Sequence, residues 1–348
     1  MKLKNTSSIF YIFLFFLIFA CGCELSQEKT NLQEVNVYTH RHYDADIKLF
    51  EEFTKQSGIK INVVKSSADN LMYRMELEGQ NSPADVLLTV DAGRLYRAKA
   101  KGLLQPIESE IITKAVPSHL RDVDNQWISL TQRARIIVYA KEKVKPSDLS
   151  TYEALTDQRW KGKILISASE NTYNQSLLAS ILAHKGEAVA KKWAEGIVKN
   201  FARQPKGSDT DQVMALVAGE GELAIVNTYY VAKMLISETP DSKGIKDKIG
   251  VFFPNQDERG AHFNVSGAGI AKYAPNKANA VKLLAFLCSE QAQQIFAEAN
   301  QEYPVREGVE ASKTLQSFGK FRADTLPLSW LGKYNTNAVK IFDQVGWK

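Results

Sequence analysis

Val86-Leu87-Leu88-Thr89-Val90-Asp91-Ala92-Gly93-Arg94-Leu95-Tyr96-Arg97-Ala98-Lys99-Ala100-Lys101-Gly102 joins a short β-prone run to a helical stretch that a glycine stops. Five apolar or β-branched residues without alternation suit a strand buried on both faces. Ala92–Lys101 reads as the helix and Gly102 as its end. The unit recurs on the N-terminal side. Val35-Asn36-Val37-Tyr38 predicts a strand, and Asp44–Ser57 a helix with Ile47, Phe50 and Phe53 at three-residue spacing before Gly58. Ile59–Val64 alternates as a strand, and Ala68–Glu78 follows as a helix. Downstream, Arg135-Ile136-Ile137-Val138-Tyr139 and Lys163-Ile164-Leu165-Ile166 predict strands. Tyr173–His184, Gly186–Asn200 and Asp209–Ala218 predict helices, and Glu222–Val226 a strand running into Thr228-Tyr229-Tyr230. Phe263–Ala271 carries Ser266-Gly267-Ala268-Gly269 in a β pattern, where glycine marks a bulge or a close backbone approach. Asn276–Asn300 predicts one helix. Such alternation predicts a mainly parallel, doubly wound α/β sheet. The 348 residues hold two such units. Ligands of these sheets bind beyond the carboxyl ends of strands, and a cleft between two domains is the default pocket.

The first 23 residues read as an export address. Met1-Lys2-Leu3-Lys4 is basic, Ile9–Phe19 is an unbroken apolar run, and Ala20-Cys21-Gly22-Cys23 supplies the small residues of a cleavage site. The apolar run is shorter than the roughly 20 residues of a bilayer span. A cysteine just after the cleavage region resembles a bacterial lipobox. Cys23 is slightly favoured over Cys21, whose surroundings include the bulky Phe19, and acylation at either would tether the following domain to a membrane face. A plain signal peptide or an uncleaved anchor is the alternative. Residues 24–34 read as a polar tether. The third cysteine, Cys288, lies in an apolar helical stretch and reads as a small buried hydrophobe. Three cysteines exclude a disulfide scaffold, and no Cys–His spacing fits zinc. Lys+Arg exceed Asp+Glu by 44 to 39, a net +5 spread along the chain without the basic stripe of a nucleic-acid binder.

Enzyme signatures are missing. The sequence has no Gly-x-Ser-x-Gly elbow, no phosphate-binding GxxxxGK[ST] loop and no HExxH pair. Gly267-Ala268-Gly269 lacks the rest of a dinucleotide fingerprint, and His119 and His184 read as surface histidines. What remains is the placement of tyrosine at the ends of predicted strands. Tyr43 follows His42 after the first strand, Tyr173 lies between a strand and a helix, and Tyr229 and Tyr230 are adjacent after Glu222–Val226. A single buried tyrosine is usually a packing residue with a bonded hydroxyl. Adjacent tyrosines in a strand would face opposite ways, so Tyr229 and Tyr230 converge only if a turn or helix begins there. Together His42, Tyr43, Tyr173, Tyr229 and Tyr230 offer one imidazole and four phenols. Fe³⁺ is a small, hard ion that prefers anionic oxygen, and a bound cation lowers the phenol pKa from its ordinary value near 10.

In sequence order, Arg41-His42-Tyr43, Val90–Ala98, Arg133–Tyr139, Trp160-Lys161-Gly162-Lys163, Tyr173-Asn174-Gln175-Ser176, Asn200-Phe201-Ala202-Arg203, Asn227-Thr228-Tyr229-Tyr230 and Phe263–Gly269 resemble the periplasmic ferric-ion-binding proteins of ABC importers, in their tyrosine-rich branch. The resemblance runs from about Val35 to the C-terminus. It implies a two-lobed α/β periplasmic-binding-protein fold of type II, each lobe a sheet flanked by helices, with the ligand cleft between lobes. The lobes would be 35–132 with 260–300, and 133–259 with 301–348. It further implies Fe³⁺ as the transported ligand, no organic cofactor, and His42, Tyr43, Tyr173, Tyr229 and Tyr230 as ligands. His40 is a competing candidate beside that set. Arg135 and Arg203 would either stand behind the ligands, Arg135 stabilising a phenolate, or make structural ion pairs with carboxylates. The implied partners are a membrane permease and its ATPase, with no nucleic acid, with membrane contact only through a lipid anchor, and with the protein a monomer in the periplasm or on the outer face of the cytoplasmic membrane. A receptor for a sugar phosphate, polyamine or thiamine on the same fold is the alternative, and an enzyme lacks a nucleophile–base constellation.

Overall fold

The computed structural model describes residues 33–348 apart from 42, 238 and 240–243. The export address with Cys21 and Cys23, most of the tether, and His42 lie outside the described residues. The strands are β1 (Glu34–Thr39), β2 (Lys60–Lys65), β3 (Val86–Val90), β4 (Leu104–Gln105), β5 (Ile128–Ala140), β6 (Ile164–Leu165), β7 (Leu223–Asn227), β8 (Ile249–Phe252), β9 (Phe263–Ala271) and β10 (Tyr303–Pro304). They pair in the order β2-β1-β3-β9-β5-β7-β6, with β4 on β9, and β8 and β10 on β5.

β5 joins the two halves. Its Ile128–Ala134 portion pairs with β9, and its Arg135–Ala140 portion pairs with β7 and β8. The sheet is mixed rather than mainly parallel. Pairs separated by a crossing helix, β1/β2, β1/β3 and β6/β7, are parallel. β5 and β9, which carry the chain between the halves, run antiparallel to every partner they have. The glycines of β9 mark a close approach, as expected. A Cβ on Gly267 would collide with the Ile128 carbonyl oxygen, and one on Gly269 would stand 2.8 Å from that of Gln126.

One core gathers Val35, Leu49, Leu87, Leu95, Ile270 and Leu284. Two more clusters sandwich the other half of the sheet, with Ile137, Leu178, Trp193, Ile225 and Phe342 on one face and Val138, Val213, Val226 and Ala261 on the other. Alternate residues of Ile136-Ile137-Val138-Tyr139 therefore enter opposite layers, which explains why that run is apolar throughout. Val305, Leu328 and Leu331 return to the first core late in the chain.

The predicted helix over 276–300 breaks in two, Lys277–Leu287 and Glu290–Ile295. Ser289 stops the ladder because its hydroxyl accepts the Ala292 N–H at 3.2 Å and caps the second helix. Cys288 is buried at the break, and burial pushes its thiol up to about 12. Among the described residues no helix is long and apolar enough to cross a membrane.

Candidate metal centre

Each of the four tyrosines stands where a helix begins. Tyr43 is the extended residue just before helix Asp44–Ser57. Tyr173 is in the first turn of helix Thr172–Lys185, its N–H donated to the Asn171 side chain at 2.8 Å. Tyr229 and Tyr230 occupy the first turn of helix Thr228–Ile236, which starts directly after β7. The predicted strand end is thus a helix start, and helical rotation brings adjacent rings side by side. Their centroids are 4.3 Å apart with planes 31° from parallel. Helix N-termini present unbonded N–H groups and partial positive charge, which favour an anionic oxygen.

The four phenols meet. The Tyr229 hydroxyl donates to the Tyr173 hydroxyl at 3.0 Å. Tyr43 packs edge-on against Tyr229, and Tyr173 edge-on against Tyr230, each at 6.5 Å between centroids. Tyr43 and the first core come from one end of the chain, while the other three stand on elements of the second half of the sheet. Among the described residues no group of three or more His, Cys, Asp and Glu side chains is placed to hold a metal. The donors gathered here are phenolic.

Cations surround these rings. The Arg41 guanidinium lies 4.8 Å from the Tyr43 ring centre, and Arg133 and Arg135 lie 5.5 and 5.8 Å from that of Tyr173. Lys233 covers Tyr43 at 4.7 Å and Tyr229 at 5.8 Å. Burial nevertheless dominates. It raises the Tyr43 and Tyr229 phenols well above their usual range, with the neighbouring phenols adding to the effect and Arg133 opposing it. Tyr230 is also raised, first by burial and then by Tyr173. Burial lowers the Lys233 ammonium, against the pull of Glu302.

Arg135 anchors the second half of the sheet and touches the site at once. It is buried, bonds Asp209 at 2.5 Å and Asn174 at 2.7 Å, and faces the Tyr173 ring. Arg203 stands apart from the tyrosine cluster, in an ion pair with Glu220 at 2.8 Å and a bond to Gln212 at 3.3 Å. His40 has both ring nitrogens engaged, Nδ1 with Thr89 at 2.9 Å and Nε2 with Arg94 at 2.8 Å. Since Arg94 can only donate, Nε2 accepts and the ring is neutral. That engagement argues against His40 as a ligand.

Two residues near the phenols escaped the sequence reading. Lys233 had a signal, because four residues past Tyr229 is one turn along the same helix face. Glu302 had none. It is buried beyond the C-terminal helices of the first half and acts on Tyr43, Arg41, Arg133 and Lys233 together.

Comparison with known proteins places this arrangement. The model for bacterial extracellular solute-binding proteins matches residues 48–323. The chain belongs to that family. It is 48% identical to iron uptake protein A1 of Synechocystis over 336 residues, covering 95% of this chain and 93% of that protein. A solved structure of Trichodesmium IdiA (FutA) in complex with iron and citrate ligands superposes with a TM-score of 0.86 at 48% identity, covering 90% of this chain and 100% of that one. The ferric binding protein of Campylobacter jejuni gives 0.86 at 40% identity, again over 90% of this chain and 100% of that one. The resemblance read from the sequence is borne out, and so is the two-lobed fold. Members of this solute-binding family are the receptors of ABC importers and work outside the cytoplasm.

Proposed function

We propose that this chain captures Fe³⁺ between its lobes and delivers it to a membrane permease powered by an ATPase. Tyr43, Tyr173, Tyr229 and Tyr230 bind the ion as phenolates, and His42, next to Tyr43 in the chain, supplies an imidazole nitrogen. The observation that carries this reading is the convergence of four phenols from three helix starts, with the Tyr173 and Tyr229 oxygens 3.0 Å apart. Three names of similar proteins, all concerned with iron, support it.

The residues perform three tasks. The phenols provide hard oxygen donors and surrender their protons as the ion enters. Arg41, Arg133 and Lys233 face the rings and temper the negative charge that forms there. Asp46 holds Arg41 with two bonds of 2.8 and 3.0 Å, which fixes that cation beside Tyr43. Because the donors come from both lobes, the ion favours the closed arrangement and draws the lobes together. The closed form is then what the permease recognises.

The lobes are 35–132 with 260–300, and 133–259 with 301–348. The distribution of buried side chains supports this division, apart from Val305, Leu328 and Leu331, which pack with the first core, and Ala261, which packs with the second half of the sheet. The protein acts as a monomeric receptor rather than an enzyme, anchored outside the cytoplasm through an acyl group on Cys23 or Cys21.

Titration with ferric citrate tests the proposal. The wild-type protein develops a visible tyrosinate-to-iron charge-transfer band, and Tyr229→Phe weakens binding and shifts the band. A colourless wild type, together with Tyr229→Phe binding iron equally well, overturns the reading.

A further inference from the structure

Asp91 follows β3 and caps helix Ala92–Ala100, its Oδ1 accepting the Gly93 N–H at 2.7 Å. Its φ of 80° is rare for a residue with a side chain. The carboxylate is also buried, with the residue 1% exposed. Strain and a buried charge persist together only where the surroundings hold both in place. Two donors do so at Oδ2: Asn264 Nδ2 at 2.8 Å and Ser176 Oγ at 2.5 Å.

The two donors differ in origin. Asn264 is on β9, which neighbours β3 in the same half of the sheet. Ser176 is on helix Thr172–Lys185, where the flanking Leu177 and Leu178 pack in the second core, whereas Ala92 and Leu95 beside Asp91 pack in the first. A buried, charge-assisted hydrogen bond therefore runs from one core to the other. It starts three residues from Tyr173 on the helix that carries that ring. Asp91 also acts on Arg133, the guanidinium facing Tyr173.

We propose that the Asp91–Ser176 hydrogen bond is a latch between the lobes, with Ser176 a positioning residue that sets how fast iron leaves. The proposal rests on the reading that the lobes close around the ion. Parting them breaks the Ser176 bond, while Asp91 keeps Asn264 and Gly93. The latch thus adds to the closed state and touches none of the phenols.

The test uses Ser176→Ala with Ser180→Ala as control. Ser180 is equally buried on the same helix, but its hydroxyl donates to the Leu177 carbonyl within that helix at 2.8 Å. Each protein is loaded with ferric citrate, and the decay of the visible band is followed in excess EDTA. Small-angle X-ray scattering of the iron-free proteins runs in parallel. Ser176→Ala is expected to keep the wild-type band position and lose iron about tenfold faster, the scale of one hydrogen bond to a charged group. Its iron-free form is expected to show a larger radius of gyration. Ser180→Ala matches wild type in both measurements. Equal decay in Ser176→Ala and wild type, or equally accelerated decay in Ser180→Ala, overturns the latch. A wild type without the band overturns the iron reading instead, and the scattering comparison then decides the latch, an unchanged radius refuting it.

Discussion

Iron binding here should be steeply dependent on pH, and the structure fixes both sign and size. Burial holds the Tyr43, Tyr229 and Tyr230 phenols above their ordinary value near 10, so in the iron-free protein all three carry their protons at neutral pH. Coordination as phenolate requires each to give its proton up. Three protons leave per ion from these three residues. Raising the pH therefore strengthens binding and lowering it weakens binding. Below the phenol pKa values, the apparent affinity for free Fe³⁺ changes about tenfold per proton per pH unit. Three protons make that about a thousandfold per unit, or about 4 kcal/mol. The assay is competition against a chelator at pH 6, 7 and 8, read from the visible band and corrected for the chelator's own protonation. The logarithm of the affinity should rise with a slope of at least three. A slope of one or less refutes the reasoning, because it means either that the phenols are already ionised or that they do not coordinate.

Two further outcomes follow from buried side chains that are not proposed to bind the ion. Asp209→Asn removes the carboxylate that Arg135 bonds at 2.5 Å in a buried setting, leaving an uncompensated guanidinium, so stability should fall by about 3–5 kcal/mol. Urea unfolding followed by tryptophan fluorescence measures this, and a midpoint within error of wild type contradicts it. Cys288 is buried and its thiol is raised to about 12, so at pH 8 it is protonated and shielded. A thiol reagent should leave Cys288 unmodified in the native protein and modify it once denaturant is added, as peptide mapping would reveal.

Local patterns wrote much of this molecule into its sequence. The apolar run Val86–Val90 and the spacing of Phe50 and Phe53 specify a strand and a helix, because burial on two faces and on one face leaves different periodicities; Ile47, the third residue of that spacing, is exposed. The glycines of β9 announced a close backbone approach, since only a missing side chain admits the Ile128 carbonyl. The candidate tyrosines were legible for a related reason: strand ends face the ligand in α/β sheets, and Tyr43, Tyr173 and Tyr229 all follow strands.

Other features arose only when distant segments met. Strand direction is a global property, so nothing local in β5 or β9 said that they would pair antiparallel with their neighbours and make the sheet mixed. The break at Ser289 was a contest between one serine hydroxyl and the helical ladder, and an unbroken apolar pattern concealed it. Glu302 reaches the phenols, and Asp91 meets Ser176, across separations of scores of residues that carry no periodicity. Sequence by itself determined which residues could form strands, helices and oxygen donors, because those depend on chemistry within a few residues. Tertiary structure alone decided which charges face those donors and how strongly each phenol holds its proton, because desolvation and Coulomb forces depend on distance in space rather than along the chain.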